Sequence, residues 1–157
     1  MILYLDSSSL VKRYVEEPGS AEVAQATRDA ALVGTVMISR VCVAAALSKA
    51  VRLQALTQDQ AWASLQAFRE EWPDVVRLQV TDPLVSHADT LAWEHQLRGF
   101  DALQLAAATL WQEMMSESVT FSTFDLQLWA AARNEGLLAH PQDLPALLAA
   151  WKAQIST

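Results

Sequence analysis

The chain has 157 residues, 52% of them hydrophobic and only four glycines, with a formal net charge of −7. At this length one domain spanning residues 1–157 around one core is expected, and the negative balance excludes a protein that coats nucleic acid with a basic surface. Cys42 is the only cysteine, which excludes an intrachain disulfide and a cysteine-rich zinc site and fits a reducing cytoplasm.

The first residues, MILYLDSSSL, show no basic segment ahead of a long apolar run, so no signal peptide is expected there. No apolar stretch approaches the roughly 20 residues of a membrane span, and a soluble cytoplasmic protein without a membrane partner is the expectation. Ile2-Leu3-Tyr4-Leu5 has the apolar continuity of a buried parallel strand. It stops at Asp6, where Ser7-Ser8-Ser9 offers N-cap chemistry for a helix through Tyr14, closed by Pro18-Gly19. Ser20 caps a second helix to about Asp29, Val36-Met37-Ile38 is a second strand, and Ser39 caps a helix over 40–54. Thr57 with Gln60 three residues later forms a capping box for a helix to about Glu71. After Pro73, residues 75–80 alternate as a strand, and Asp82-Pro83 opens a helix ending near His95. Gly99 breaks the chain before a helix over 101–115, and Val119-Thr120-Phe121-Ser122 is the next strand. A helix follows Asp125 to about Glu135, Leu137-Leu138-Ala139 is the last strand, and 144–155 the last helix.

Strands alternating with helices predict a three-layer α/β domain, a mostly parallel central sheet flanked by helices, with its functional crevice at the carboxyl ends of the strands. Asp6 and Asp125 follow two predicted strands and so share that edge, and Asp101 stands at a helix start behind Leu97-Arg98-Gly99-Phe100. Clustered carboxylates repel one another unless a cation sits among them, and oxygen-rich clusters suit Mg²⁺ or Mn²⁺. Beside a phosphodiester such an ion activates water and neutralises developing charge. An aspartate at a strand end, taken singly, is more often a helix cap.

Read together, three segments narrow this. LDSSSLVKRYVEEPGS (5–20), LRGFDALQLAAA (97–108) and FSTFDLQLWAAARNEGL (121–137) resemble the signature segments of PIN-domain ribonucleases, and most of all those of VapC toxins from bacterial toxin–antitoxin pairs. The resemblance runs nearly the full length. It implies a Mg²⁺- or Mn²⁺-dependent endoribonuclease acting on RNA, a homodimer, and a cognate antitoxin that holds it inactive. It assigns Asp6, Asp101 and Asp125 as metal-binding catalytic acids, with Thr123 and either Ser7 or Ser8 as supporting polar residues.

One departure stands out. The family's glutamate on the helix after the second strand falls on Ala45, or on Ala44 in the adjacent register, and no acidic residue occurs between Asp29 and Asp59. Either a Glu→Ala exchange has silenced a nuclease, or the natural protein lost the residue; both predict a nearly inactive chain. A silent PIN-like module that binds RNA or an antitoxin without cutting is the alternative. A haloacid-dehalogenase-type phosphatase is disfavoured because Ser8 stands where its second Asp belongs, and a response-regulator receiver because its carboxylate pair and late lysine are missing.

The charge is uneven: residues 1–55 hold six Lys/Arg against five Asp/Glu, and residues 56–157 five against thirteen. A basic rim of Lys12, Arg13, Arg40, Lys49 and Arg52 is therefore expected, with Arg40, Lys49 and Arg98 as candidate RNA contacts. Asp89 and Glu94 are within a helix of the cluster, though an exposed helix face explains them as well. His87, His95 and His140 lack ligand spacing. The six tryptophans are assigned to packing, and Trp62, Leu65 and Phe68 form a stripe suited to the core, a dimer or an antitoxin groove.

Overall fold

Alternation decides the layers. The computed structural model describes residues 1–156, and in β1 (Ile2–Leu5) successive side chains point to opposite faces of the sheet. Ile2 and Tyr4 enter one core with Val36, Leu105, Trp111, Phe121 and Leu128, while Leu3 and Leu5 enter another with Leu10, Val23, Val43, Leu47 and Phe68. A strand buried on both faces needs helices on both, which is the three-layer α/β arrangement expected.

The sheet has five strands, all parallel, in the order β3-β2-β1-β4-β5. They are β1, β2 (Leu32–Val36), β3 (Val76–Leu78), β4 (Val119–Ser122) and β5 (Leu138–His140). One face carries α1 (Ser7–Val11), α2 (Ser20–Asp29), α3 (Ser39–Arg52) and α4 (Gln58–Glu71). The other carries α5 (Asp82–His95), α6 (Gly99–Met115) and α7 (Leu126–Asn134), with α8 (Leu144–Ile155) packed on α7. The strand order reverses between β1 and β4, and ligands of open α/β sheets bind at such a switch point. None of these helices is long and apolar enough to cross a membrane.

Five local expectations are corrected. The second strand is Leu32–Val36, earlier than the Val36-Met37-Ile38 run, because an interior glycine hides it. A Cβ at Gly34 would lie 2.6 Å from the Trp111 ring, so the sheet needs glycine there to seat α6. The first helix stops at Val11 rather than Tyr14, where tight turns take over and Ser64 Oγ donates to the Tyr14 carbonyl. Ser39 lies inside α3 instead of capping it, and α2 is capped by Gly19 with positive φ, not by Ser20. The strand expected over 75–80 is only Val76–Leu78, since the Val75 N–H closes a 3-10 turn at Trp72–Asp74. The Thr57–Gln60 capping box is present in both directions.

Candidate active site

Asp6 directly follows β1 and is the N-cap of α1. Its N–H donates to the Ser122 carbonyl at 3.1 Å, extending the β1–β4 ladder, and its Oδ1 accepts from the Ser9 N–H at 2.7 Å and the Ser8 hydroxyl at 2.8 Å. The Thr123 hydroxyl also faces this carboxylate. Asp6 is 4% exposed, and burial pushes its carboxyl above the ordinary range despite these donors.

Asp125 repeats the device on the neighbouring strand. It N-caps α7, its Oδ1 accepting from the Leu128 N–H at 2.8 Å, while its own N–H donates to Thr123 Oγ1 at 3.1 Å. Thr123, fully buried, thus sits between the two acids. Asp101 arrives from α6, in its first turn, half-buried. Burial pushes its carboxyl up, the Asp125 and Asp6 charges push it further, and Arg98 opposes them. The fold therefore brings the three sequence-predicted aspartates into mutual electrostatic range at the β1/β4 switch point.

These acids fit a hard divalent cation. The available donors are carboxylate oxygens, Asp6 is withdrawn from water, and the Asp125 and Asp6 charges raise the cost of ionising Asp101. Among the described residues, the trio of side chains whose ligand atoms all lie within 4.8 Å of one another is a different one, Glu94, His95 and Glu135. There the His95 Nε2–Glu135 Oε1 contact of 2.6 Å joins the ends of α5 and α7. Glu94 thus belongs with His95, while exposed Asp89 lines a groove of about 760 Å³ between α5 and α6, together with Arg98, Phe100 and Asp101.

Ala45 is exposed on α3, one turn beyond Cys42 on the same side of the helix. The Cys42 thiol, pushed up by burial, faces the Ser7 hydroxyl beside Asp6. So Ala45 is placed next to the residue of α3 that looks toward α1. Ala44 lines a different groove, between α3 and α4, which makes 45 the better register for the family's glutamate.

The expected basic rim is largely spent on internal contacts. Lys12 pairs with Glu17 and Arg13 with Glu71, both at 2.9 Å, and Arg40 lies over the Trp72 ring at 6.0 Å. Lys49 is exposed at the far end of α3, and Arg98 is the candidate that stands beside an aspartate. Among the tryptophans, Trp72, Trp111 and Trp129 are core residues, but Trp93 is 88% and Trp62 58% exposed, so these two are not part of the core. Phe68 of the Trp62 stripe is buried, and Arg69 covers the Trp62 ring. His140 accompanies Ser122 beneath the site, Nδ1 to Oγ 2.9 Å, and burial lowers its basicity, so it is a neutral hydrogen-bonding group.

Ser9 and Gln104 were not legible as site residues. Ser9 contributes through its backbone N–H, for which only Asp6 as N-cap was a signal. Gln104 is an amide inside an otherwise apolar helical stretch, the DALQLAAA segment, where no local pattern distinguishes it from a solvated helix position.

Comparison with known proteins bears on the family and the fold. A PIN domain family model matches residues 3–135. Ribonuclease VapC49 of Mycobacterium tuberculosis is 29% identical over 146 residues, covering 91% of this chain and 97% of its own. Two solved structures share the fold. VapBC2 from Rickettsia felis, bound to a DNA fragment from their promoter, aligns with TM-score 0.60 at 14% identity, over 89% of this chain and 98% of that one. A toxin–antitoxin complex from Klebsiella pneumoniae aligns with TM-score 0.58 at 15% identity, over 83% and 91%.

Proposed function

This chain belongs to the PIN-domain family, and from that premise we propose that it is a Mg²⁺- or Mn²⁺-dependent endoribonuclease, the toxin of a toxin–antitoxin pair, silenced at Ala45. The observation behind the reading is the gathering of Asp6, Asp101 and Asp125 at the β1/β4 switch point, on a chain similar to a VapC ribonuclease.

Asp6, Asp101 and Asp125 are the residues that would hold the cation. Bound there, a divalent ion supplies charge neutralisation to a phosphodiester and acidifies an attacking water. The chain's own part is to fix the acids. Ser8, Ser9 and Thr123 orient Asp6 by donating to it, and Leu128 orients Asp125. Arg98 is suited to an RNA phosphate at the mouth of the site. With alanine at 45 a fourth carboxylate is missing, and loss of a general base costs about 10²–10⁴-fold in rate. The antitoxin partner is supported by the likeness to toxin–antitoxin complexes, a homodimer by the family resemblance alone.

One observation favours a second reading. The absence of any acid between Asp29 and Asp59 equally suits a non-cutting PIN module that binds RNA or an antitoxin. The reading is tested by Mn²⁺ binding, followed by electron paramagnetic resonance. The chain is expected to bind Mn²⁺, and Asp101→Asn or Asp125→Asn to weaken it at least about tenfold. No Mn²⁺ binding by the folded chain would sink the metal assignment.

A further inference from the structure

Beneath the three acids the two central strands part. β1 and β2 keep register only to Tyr4 opposite Gly34, while β2 continues on β3 to Val36 opposite Leu78. The fork lies directly under Asp6, and it is filled by side chains rather than by ladder bonds.

Those side chains form one directed chain of hydrogen bonds. The Val36 N–H donates to Tyr4 Oη at 3.1 Å, and the Tyr4 hydroxyl donates to Gln104 Oε1 at 2.6 Å. Gln104 Nε2 donates to Ser39 Oγ at 2.9 Å, and Thr35 Oγ1 donates to the Leu5 carbonyl at 2.7 Å. Thr35 has one hydroxyl proton, already committed to Leu5, so the 2.7 Å Ser39–Thr35 contact uses the Ser39 proton. Every step then runs from Val36 to Leu5 without a reversal, and the Gln104 amide has only one orientation that satisfies both neighbours. Tyr4, Thr35 and Ser39 are fully buried and Gln104 is 2% exposed. Burial also pushes the Tyr4 hydroxyl well above its ordinary value, which keeps it a donor.

Gln104 is the one residue of this chain contributed by α6, and it lies one turn after Asp101. Ser39 begins α3, the helix of Cys42 and Ala45. Leu5 precedes Asp6. The chain of bonds thus ties together the three elements that deliver positions 101, 45 and 6. A buried polar network that is fully satisfied specifies one arrangement, because any shift leaves a group unpaired.

We propose, resting on the metal-site reading above, that Gln104 is a positioning residue: through Tyr4 and Ser39 it sets α6 against β1 and α3 and so holds Asp101 in register with Asp6. It touches no substrate and acts through Asp101.

The test compares Gln104→Met with Thr109→Val, a control that breaks bonds of the same helix outside the network, where Thr109 meets His87 and Ala106. Two readouts are taken on each folded protein, Mn²⁺ affinity and amide hydrogen exchange over residues 99–103. Gln104→Met is expected to weaken Mn²⁺ binding about 10–100-fold, as loss of an outer-shell partner does, and to speed exchange over 99–103; Thr109→Val is expected to change neither beyond its effect on melting temperature. If Gln104→Met does not fold, Gln104→Glu, which keeps the acceptor for Tyr4 but loses the donor to Ser39, is read the same way. Equal exchange and equal affinity in the Gln104 variant and the control overturn the proposal. If the parent chain binds no Mn²⁺, the metal reading fails by itself, and exchange over 99–103 still decides the positioning role: faster than in the control supports it, equal overturns it.

Discussion

Thr123 and Asp125 share a hydrogen bond, the Asp125 N–H donating to Thr123 Oγ1 at 3.1 Å, and the same hydroxyl faces the carboxylate of Asp6 on the neighbouring strand. One buried side chain therefore couples two of the three acids. Replacing it by valine keeps the shape but removes both interactions. Thr123→Val is expected to destabilise the fold by about 1–3 kcal/mol, since the buried Asp6 loses a donor, and to weaken Mn²⁺ binding. Chemical denaturation and Mn²⁺ titration check the two effects separately.

The buried Asp6 carboxylate is costly to the fold and useful to a cation. Asp6→Asn keeps an acceptor for the Ser9 N–H and removes the charge. It is expected to raise the melting temperature by about 2–4 °C per kcal/mol gained, the conversion for a domain of this size, while abolishing Mn²⁺ binding. A drop in melting temperature would show that the charge itself supports the fold.

pH dependence follows from the direction of two shifts. Asp6 and Asp101 both have folded-state carboxyls raised above their unfolded values, mainly by burial. The folded state therefore binds more protons than the unfolded chain between those values. Their contribution to stability is fully present below the ordinary carboxylate range, around pH 4, and is lost as pH rises through the raised values. Melting temperature in EDTA is expected to fall over that interval. Saturating Mn²⁺ should offset the fall, because the ion binds the deprotonated acids. Parallel curves with and without Mn²⁺ would contradict a shared site.

Sequence reading reached the acids because each lies where a strand or helix begins or ends, and such ends announce themselves through capping chemistry. Asp6 after ILYL and Asp125 after VTFS needed only local patterns. The parallel order of the sheet followed from alternation of strands and helices. What stayed hidden depended on distant partners. Gly34 looks like a strand breaker until Trp111 is seen lying against it. Lys12, Arg13 and Arg40 look like a phosphate-binding rim until Glu17, Glu71 and Trp72 are found beside them. Gln104 gains meaning only from Tyr4, a hundred residues earlier in the chain.

RNA binding separates the remaining cations. Arg98→Ala is expected to weaken binding of single-stranded RNA and to shallow its salt dependence by about one unit, as for one phosphate contact. Arg13→Ala is expected to leave both nearly unchanged, since that guanidinium is held by Glu71. Fluorescence anisotropy across a salt series measures both.

We propose that Asp6, Asp101 and Asp125 form a nuclease centre lacking only the carboxylate at position 45. It is tested most directly by RNA cleavage with Ala45→Glu, in Mn²⁺ and in EDTA, beside the unmodified chain. Ala45→Glu is expected to cleave a broad RNA panel in Mn²⁺, a gain of about 10²-fold or more that EDTA removes. No gain over the unmodified chain on that panel, with the variant folded and Mn²⁺ bound, would contradict it.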